Sequence, residues 1–228
     1  ATDWLMCGIA ESQRQVLRRG MAQALAGIVA ENPERLAPWL ADERWYVVRN
    51  VVHILGLMDS DAPVALLRSA STHPELRVRR EVVTALARAP RPIARPILIE
   101  MLQAADSRLF GTILNLLCAS PDPDLAMMLL EWIEEERFAS RPEEEKRSIY
   151  QALAAVGGDG AVPLLEAHVL QGGWFSRNND PARLAAAMCL ARIGSPAVRE
   201  FLEHGAQSRR AEVARACRTA LASLRPQS

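Results

Sequence analysis

The stretch Asp42-Glu-Arg-Trp-Tyr-Val-Val-Arg49 runs into an apolar segment, Asn50-Val-Val-His-Ile-Leu-Gly56, and this order of residues recurs along the chain. A second copy begins at His73-Pro-Glu-Leu-Arg-Val-Arg79 and runs into Arg80-Glu-Val-Val-Thr-Ala-Leu-Ala87. A looser copy begins at Asp180-Pro-Ala-Arg183. Copies spaced by about 30 to 40 residues indicate stacked pairs of helices, because each repeat buries its apolar face only against its neighbours.

Apolar residues recur at spacings of three and four, and most Pro and Gly fall between these segments or at their ends, which predicts helices throughout and no sheet. We therefore predict an all-α fold: a right-handed α-α superhelix, or solenoid, of six helix pairs plus a C-terminal capping helix, in a single domain over residues 1–228. The predicted pairs are 11–31 with 33–41, 43–57 with 61–71, 75–88 with 91–104, 106–119 with 122–137, 142–157 with 161–170 and 181–193 with 196–205, and the capping helix is 208–224.

The steps Val47-Val-Arg49 and Val78-Arg79, and the segment Ala185-Ala-Ala-Met-Cys-Leu-Ala-Arg-Ile-Gly194, resemble HEAT repeats of the short bacterial type named after the phycobilisome lyases. The resemblance covers most of residues 40–224. Leu109-Phe-Gly111 and Lys146-Arg-Ser148 stand where Val-Arg is expected, so the register of these two repeats is open. The resemblance implies the solenoid fold and a scaffold or adaptor role, although a few members of the family are enzymes.

The composition limits the kinds of partner that we expect the chain to bind. Lys plus Arg equals Asp plus Glu at 27 each, so the strong positive field that attracts nucleic acid is absent. The four cysteines are far apart, and no apolar run or N-terminal signal pattern indicates a membrane or an export route. We expect a cytoplasmic protein without nucleic acid or membrane partners. Since the chain begins at Ala1 rather than Met, we also expect it to be a piece of a longer protein.

Arginines recur at the helix starts. Arg49, Arg79, Arg183 and Arg215 form this set. One interpretation is a row of ligand-binding groups. We favour the structural one, in which each arginine pairs with an acidic turn residue, Asp42 or Asp180 for example, and sets the stacking of the repeats.

The second helix of each pair lines the concave face in solenoids of this type. Charged residues on these helices divide along the chain into arginines (Arg35, Arg68, Arg91 and Arg95) and, further on, glutamates (Glu131, Glu134, Glu135, Glu166 and Glu203). A groove with this polarity would orient a bound partner segment. Ordinary solvated charge is the alternative.

The connection Gln171-Gly-Gly-Trp-Phe-Ser-Arg-Asn-Asn-Asp180 is longer than the repeats require. Trp and Arg are enriched at binding hot spots, so Trp174, Phe175 and Arg177 are candidate contacts for a partner. The alternative is that Trp174 and Phe175 fold back over the core.

Motifs for catalysis are missing. No histidine is followed by glutamate, no Cys and His cluster has zinc spacing, and no Gly-x-Ser-x-Gly or phosphate-binding loop occurs. We therefore predict a protein that is not an enzyme, holds no metal or cofactor, and serves as a scaffold for a protein or peptide partner. The candidate partner-binding residues are Arg68, Arg91, Arg95, Glu131, Glu135, Glu166, Trp174, Phe175 and Arg177. The alternative is a HEAT-like DNA-binding protein similar to the alkylpurine DNA glycosylases.

Overall fold

The computed structural model describes residues 2–11, 14–58, 63–171 and 180–224. All regular secondary structure in these ranges is helical, which confirms the all-α class of a HEAT-like helical solenoid. The chain divides into two compact units, unit 1 (Ala1–Ala105) and unit 2 (Asp106–Ser228), and each is considered by itself.

The helices follow the predicted alternation closely. Unit 1 contains α1 (Thr2–Glu11), α2 (Gln15–Ile28), α3 (Ala37–Leu40), α4 (Trp45–Leu55), α5 (Val64–Ala70), α6 (Leu76–Leu86) and α7 (Arg91–Gln103), with a 3-10 turn at Pro33–Leu36. Unit 2 contains α8 (Ser107–Leu117), α9 (Pro123–Glu134), α10 (Glu143–Val156), α11 (Val162–Gln171), α12 (Asp180–Ile193), α13 (Pro196–Gly205) and α14 (Ala211–Ser223), with 3-10 turns at Glu136–Phe138 and Gly158–Ala161. We call the even-numbered helices first helices and α3, α5, α7, α9, α11 and α13 second helices.

Helix α1 is the element that the sequence did not predict. It packs against α2 and α4, and its Met6 and Ile9 are buried. No Pro or Gly sets it off as a separate repeat, which is why the repeat pattern misses it.

First helices bury an unusually wide face. In α4, the neighbours Val47 and Val48 are buried, and so are Val51 and Val52 one turn later. A face this wide is covered from more than one side: α4 packs against first helices α2 and α6 and against second helices α3 and α5. Each fully buried Val is worth about 1.5 to 3 kcal/mol, so these contacts dominate the stability of the stack.

The N-cap residues of the first helices allow the repeats to be aligned with one another. The N-cap residues of α4, α6, α8 and α10 are Arg44, Glu75, Asp106 and Pro142. Counting four residues on from each cap gives Val48, Arg79, Phe110 and Lys146, so the two repeats whose register was open are now placed. Arg49 follows its cap by five residues, and the predicted arginine row therefore mixes two positions.

Cations at the helix starts bond to backbone carbonyls, and Lys146 also pairs with the Glu143 carboxylate at 2.8 Å. Arg79 Nη1 donates to the carbonyls of His73 and Pro74, both at 2.8 Å. Lys146 Nζ donates to the Ala139 carbonyl at 2.8 Å, and Arg183 Nε donates to the Val169 carbonyl at 2.9 Å. These bonds tie each first helix to the segment before it and satisfy carbonyls that the helices leave unpaired.

The predicted pairing of Arg49 with Asp42 is wrong. Asp42 accepts hydrogen bonds from Arg44 Nε at 2.9 Å and Arg44 Nη2 at 2.8 Å, not from Arg49. The physical reason is proximity, because Arg44 and Asp42 flank the same turn. The side chain of Asp180 lies outside the described residues.

One cluster in unit 2 contains a half-buried histidine, His168. The Tyr150 ring contacts Phe138 and His168 edge-on at 5.7 and 5.8 Å between centroids, and the Tyr150 hydroxyl lies 3.3 Å from His168 Nδ1. Desolvation lowers the pKa of His168 below its usual 6.5, and burial raises the pKa of Tyr150. Both groups are therefore neutral near pH 7, which fits a Tyr150 hydroxyl that donates to the imidazole.

We predict that Lys146→Met lowers the free energy of unfolding by about 1 to 2 kcal/mol, because the Ala139 carbonyl and the Glu143 carboxylate both lose their donor. Urea unfolding followed by circular dichroism measures the change. Arg147→Met is the matched control, since Arg147 is the exposed neighbour, and it should change stability by less than about 0.5 kcal/mol. Equal losses in the two variants would contradict the carbonyl anchor.

We predict a stability loss on acidification that depends on His168. Because its pKa is lowered in the folded state, the neutral ring contributes fully above about pH 6.5 and progressively less as the pH falls below it. From about pH 7.5 to about pH 5.5, the wild type should lose more melting temperature than His168→Gln. His204→Gln, which alters an exposed histidine of α13, should follow the wild type. Parallel curves for wild type and His168→Gln would show this expectation to be wrong.

Candidate functional site

A groove of about 580 Å³ crosses the exposed faces of α10, α12 and α14 in unit 2. We call it the first-helix groove. Helix α12 packs against both α10 and α14, so three consecutive first helices present one continuous surface. Cavities of about 300 to 1,000 Å³ are the size in which proteins bind ligands and partner side chains.

Each helix contributes side chains four residues apart. Such residues lie on one face of a helix, one turn above the other. The pairs are Arg147 and Gln151 on α10, Leu184 and Met188 on α12, and Arg215 and Thr219 on α14. Each of these first helices buries its wide apolar face against its neighbours. The groove is formed by the faces of the three helices that remain uncovered.

The floor of the groove is apolar. Leu184 is 37% exposed, although most leucines of the described chain are buried, and Met188, Ala185 and Ala216 extend the same surface. Cys189 lies beneath it at 1% exposure, and burial raises the pKa of its thiol to about 12. The thiol stays protonated at neutral pH, so it acts as a small apolar group and not as a nucleophile.

The rim of the groove is positively charged. Arg147, Arg192 and Arg215 come from three different helices, and Glu212 is the acidic residue that lines the groove. Glu212 forms an ion pair at 3.3 Å with Arg210, a residue that does not line the groove. The rim therefore keeps a surplus of positive charge around an apolar floor, an arrangement that accepts an amphipathic anion.

The predicted arginines of the second helices lie in unit 1. Arg68 on α5 is exposed and forms an ion pair with Glu100 on α7, a residue that the prediction left out. Arg91 and Arg95 on α7 are half-buried, and both interact with other groups. Part of the predicted positive charge is thus balanced within unit 1.

The predicted glutamates lie in unit 2. Glu131 is exposed on α9, Glu166 is half-buried on α11, and Glu135 follows the end of α9. Glu135 pairs with Arg137, whose hydrogen bond lowers the pKa of the Glu135 carboxyl. Trp174, Phe175 and Arg177 lie outside the described residues.

Sequence reasoning missed the first-helix groove. It assigned binding to second helices and treated Arg215 as a residue that sets the stacking. The available signal was in α12, where Leu184 and Met188 stand four apart among alanines that pack the core. Arg147, at the corresponding place in a neighbouring repeat, was a second signal for the same surface.

Among the described side chains, no three His, Cys, Asp or Glu residues come together as a metal ion would require. In the same part of the chain, no helix has the length and apolar character needed to cross a membrane.

Comparison with known proteins identifies the repeat. The family model for HEAT repeats matches residues 33–111, which confirms the predicted repeat type in that part of the chain. No curated protein matches the sequence. Among solved structures, the structure of human deoxyhypusine hydroxylase in complex with glycerol is similar, with a TM-score of 0.43, 18% sequence identity, and coverage of 98% of this chain and 84% of that chain.

The prediction that the chain is not an enzyme is contradicted, because a similar structure is that of an enzyme. The prediction rested on missing local motifs. Side chains that come together from several repeats leave no such motif, so their absence from the sequence does not decide the question. At this identity and score, the likeness carries no activity over to this chain.

We predict that native Cys189 resists alkylation, because burial raises the pKa of its thiol to about 12 and keeps it from solvent. With iodoacetamide at about pH 8, mass spectrometry of peptides should find the exposed Cys7 modified much faster than Cys189. Both cysteines should react alike in denaturant. Labelling of native Cys189 at the rate of Cys7 would show that the groove floor is open.

Proposed function

We propose that this HEAT-repeat chain binds an acidic, amphipathic helix of a partner protein in the first-helix groove of unit 2. HEAT repeats generally mediate protein–protein interaction, and the repeat type is shown for residues 33–111. The observation that carries the proposal is the convergence of Arg147, Arg192 and Arg215, from three helices, around an apolar floor.

The floor suits the apolar face of a helix. Leu184 and Met188 lie one turn apart along α12, and they match apolar residues that recur at three- and four-residue spacing in a partner helix. The flexible thioether of Met188 can adapt to side chains of different shape. Covering this exposed apolar surface supplies the hydrophobic part of the affinity.

The rim selects the charge of the partner. Arginine forks bind carboxylates through two parallel hydrogen bonds, so Arg147 and Arg192 favour Glu or Asp on the flanks of the bound helix. A basic helix would meet like charges and bind more weakly. The groove thereby distinguishes partners by charge as well as by shape.

The sequence predicted a binding surface on the second helices and, as the alternative, a DNA-binding protein. The second-helix surface stays a prediction, and the pair of Arg68 with Glu100 reduces its positive charge. Neither the family match nor the similar structure supports the DNA glycosylase alternative. A neutral chain also lacks the excess of cations that binding to phosphate backbones requires.

We predict that Arg147→Glu with Arg192→Glu weakens partner binding about tenfold or more, because the rim then repels an acidic helix. Cell extract is passed over immobilised wild type and over this variant. Proteins lost with the variant are identified by mass spectrometry, and crosslinking maps the bound segment. That segment is then made as a peptide, and its affinity is measured by calorimetry with its acidic residues intact or replaced by Gln and Asn.

The control is Arg199→Glu with Arg209→Glu, which reverses two exposed arginines of unit 2 outside the groove. It should retain the partner as the wild type does. A further arm with Arg91→Glu and Arg95→Glu tests the second-helix surface. The groove proposal is overturned if the partner is insensitive to the rim variant, if the control loses it equally, or if neutralising the acidic residues of the peptide leaves its affinity unchanged.

A further inference from the structure

A second pocket, of about 230 Å³, lies in unit 1 among α1, α2, α4 and α6. We call it the arginine pocket. Its polar lining consists of Arg18, Arg19, Arg49, Asn50, His53 and Glu81. It is smaller than the sites that proteins use for drug-sized ligands, so it suits a small polar group.

Helix packing brings these residues together. Arg49 and His53 are one turn apart on α4 and therefore share a face. Helix α2 packs on one side of this face and brings Arg18 and Arg19, while α6 packs against α4 and brings Glu81. The pocket is thus built by three consecutive first helices, with α1 beside them.

The guanidinium of Arg49 lacks adequate acceptors. Its Nε is buried without a hydrogen-bond partner, and its Nη2 reaches Asn50 Oδ1 only at 3.5 Å. Arg79, one position earlier in the neighbouring repeat, has two carbonyl acceptors at 2.8 Å. A buried donor on a charged group without an acceptor is costly, so the Arg49 side chain calls for a partner that the described residues do not supply.

The acidic residue of the pocket is already engaged. Glu81 Oε1 lies 2.9 Å from His53 Nδ1, and this hydrogen bond lowers the pKa of the Glu81 carboxyl, with a smaller contribution from the charge of Arg49. Three arginines and one glutamate line the pocket, so cationic side chains outnumber anionic ones without counting His53. Asn50 adds an amide that can donate as well.

We infer that the arginine pocket binds a small phosphate group, as free phosphate or as a phosphate monoester. A phosphate oxyanion supplies acceptors in several directions, which matches arginine forks that arrive from two helices. Its charge of about −1.5 to −2 near neutral pH matches the positive surplus of the lining better than the single charge of a carboxylate. This site is independent of the groove proposed for partner binding, because its residues belong to unit 1.

Titration calorimetry with inorganic phosphate and with glycerol 3-phosphate, at constant ionic strength set with chloride, tests the inference. We expect the wild type to bind at least one of the two probes, and the stronger of them identifies free phosphate or a monoester as the preferred source. Arg49→Gln should weaken binding by about tenfold or more, because it removes a charge-assisted donor. Arg80→Gln, an exposed neutralisation on α6 outside the lining, should bind as the wild type does.

Arg19→Gln provides a second variant, since Arg19 is exposed on α2 and its replacement leaves the core untouched. Circular dichroism of each variant without phosphate separates loss of binding from loss of folding. The inference is overturned if the wild type binds neither probe at millimolar concentration, or if Arg80→Gln weakens binding as much as the pocket variants do. Both outcomes leave the groove of unit 2 unaffected, so the two proposals fail separately.

Discussion

The burial of a wide apolar face on each first helix governs the rest of this structure. In α4, two pairs of valines one turn apart, Val47 with Val48 and Val51 with Val52, are fully removed from water. A face of this width needs first helices on two sides and second helices as well, so helices of this kind can only stack. It also leaves a narrow strip of each first helix uncovered. Both pockets lie on that strip: Arg49 and His53 of one, and Arg147 and Gln151 of the other, follow their N-caps by five and nine residues.

A shift of one residue decides what a cation does at the start of a first helix, because it rotates the side chain by about 100° around the helix axis. Lys146 and Arg147 make the comparison within one helix. Lys146 is 5% exposed and bonds to the Ala139 carbonyl, whereas Arg147 is exposed and lines the groove. Arg79 and Arg49 repeat the contrast in unit 1. A cation therefore bonds to backbone carbonyls at one position and lines a pocket at the next.

The same strip has different chemistry in the two units. In unit 1 it carries His53 and Asn50 beside the arginines, and the resulting pocket is small and polar. In unit 2 it carries Leu184 and Met188, and the result is a larger groove with an apolar floor. The first suits a compact anion and the second an amphipathic segment, since hydrophobic area supports binding only where the partner also presents it. One packing rule thus leaves surfaces whose chemistry differs between the two units.

The sequence by itself determined most of the helices and their order, because most Pro and Gly lie at the breaks and apolar spacing marks the packing face, although Pro96 lies inside α7. The predicted helix 196–205 coincides with α13 (Pro196–Gly205), and the unmarked α1 was the element missed. The site residues were harder to predict from the sequence. Charges on the second helices suggested a binding face, yet nothing local indicated that Glu100 pairs with Arg68. Only the tertiary structure decided which arginines converge: Arg147, Arg192 and Arg215 are far apart in the chain, and the packing of α10, α12 and α14 brings them to one groove. Local spacing determines the face that a side chain occupies, whereas its neighbours on that face depend on how separate helices pack.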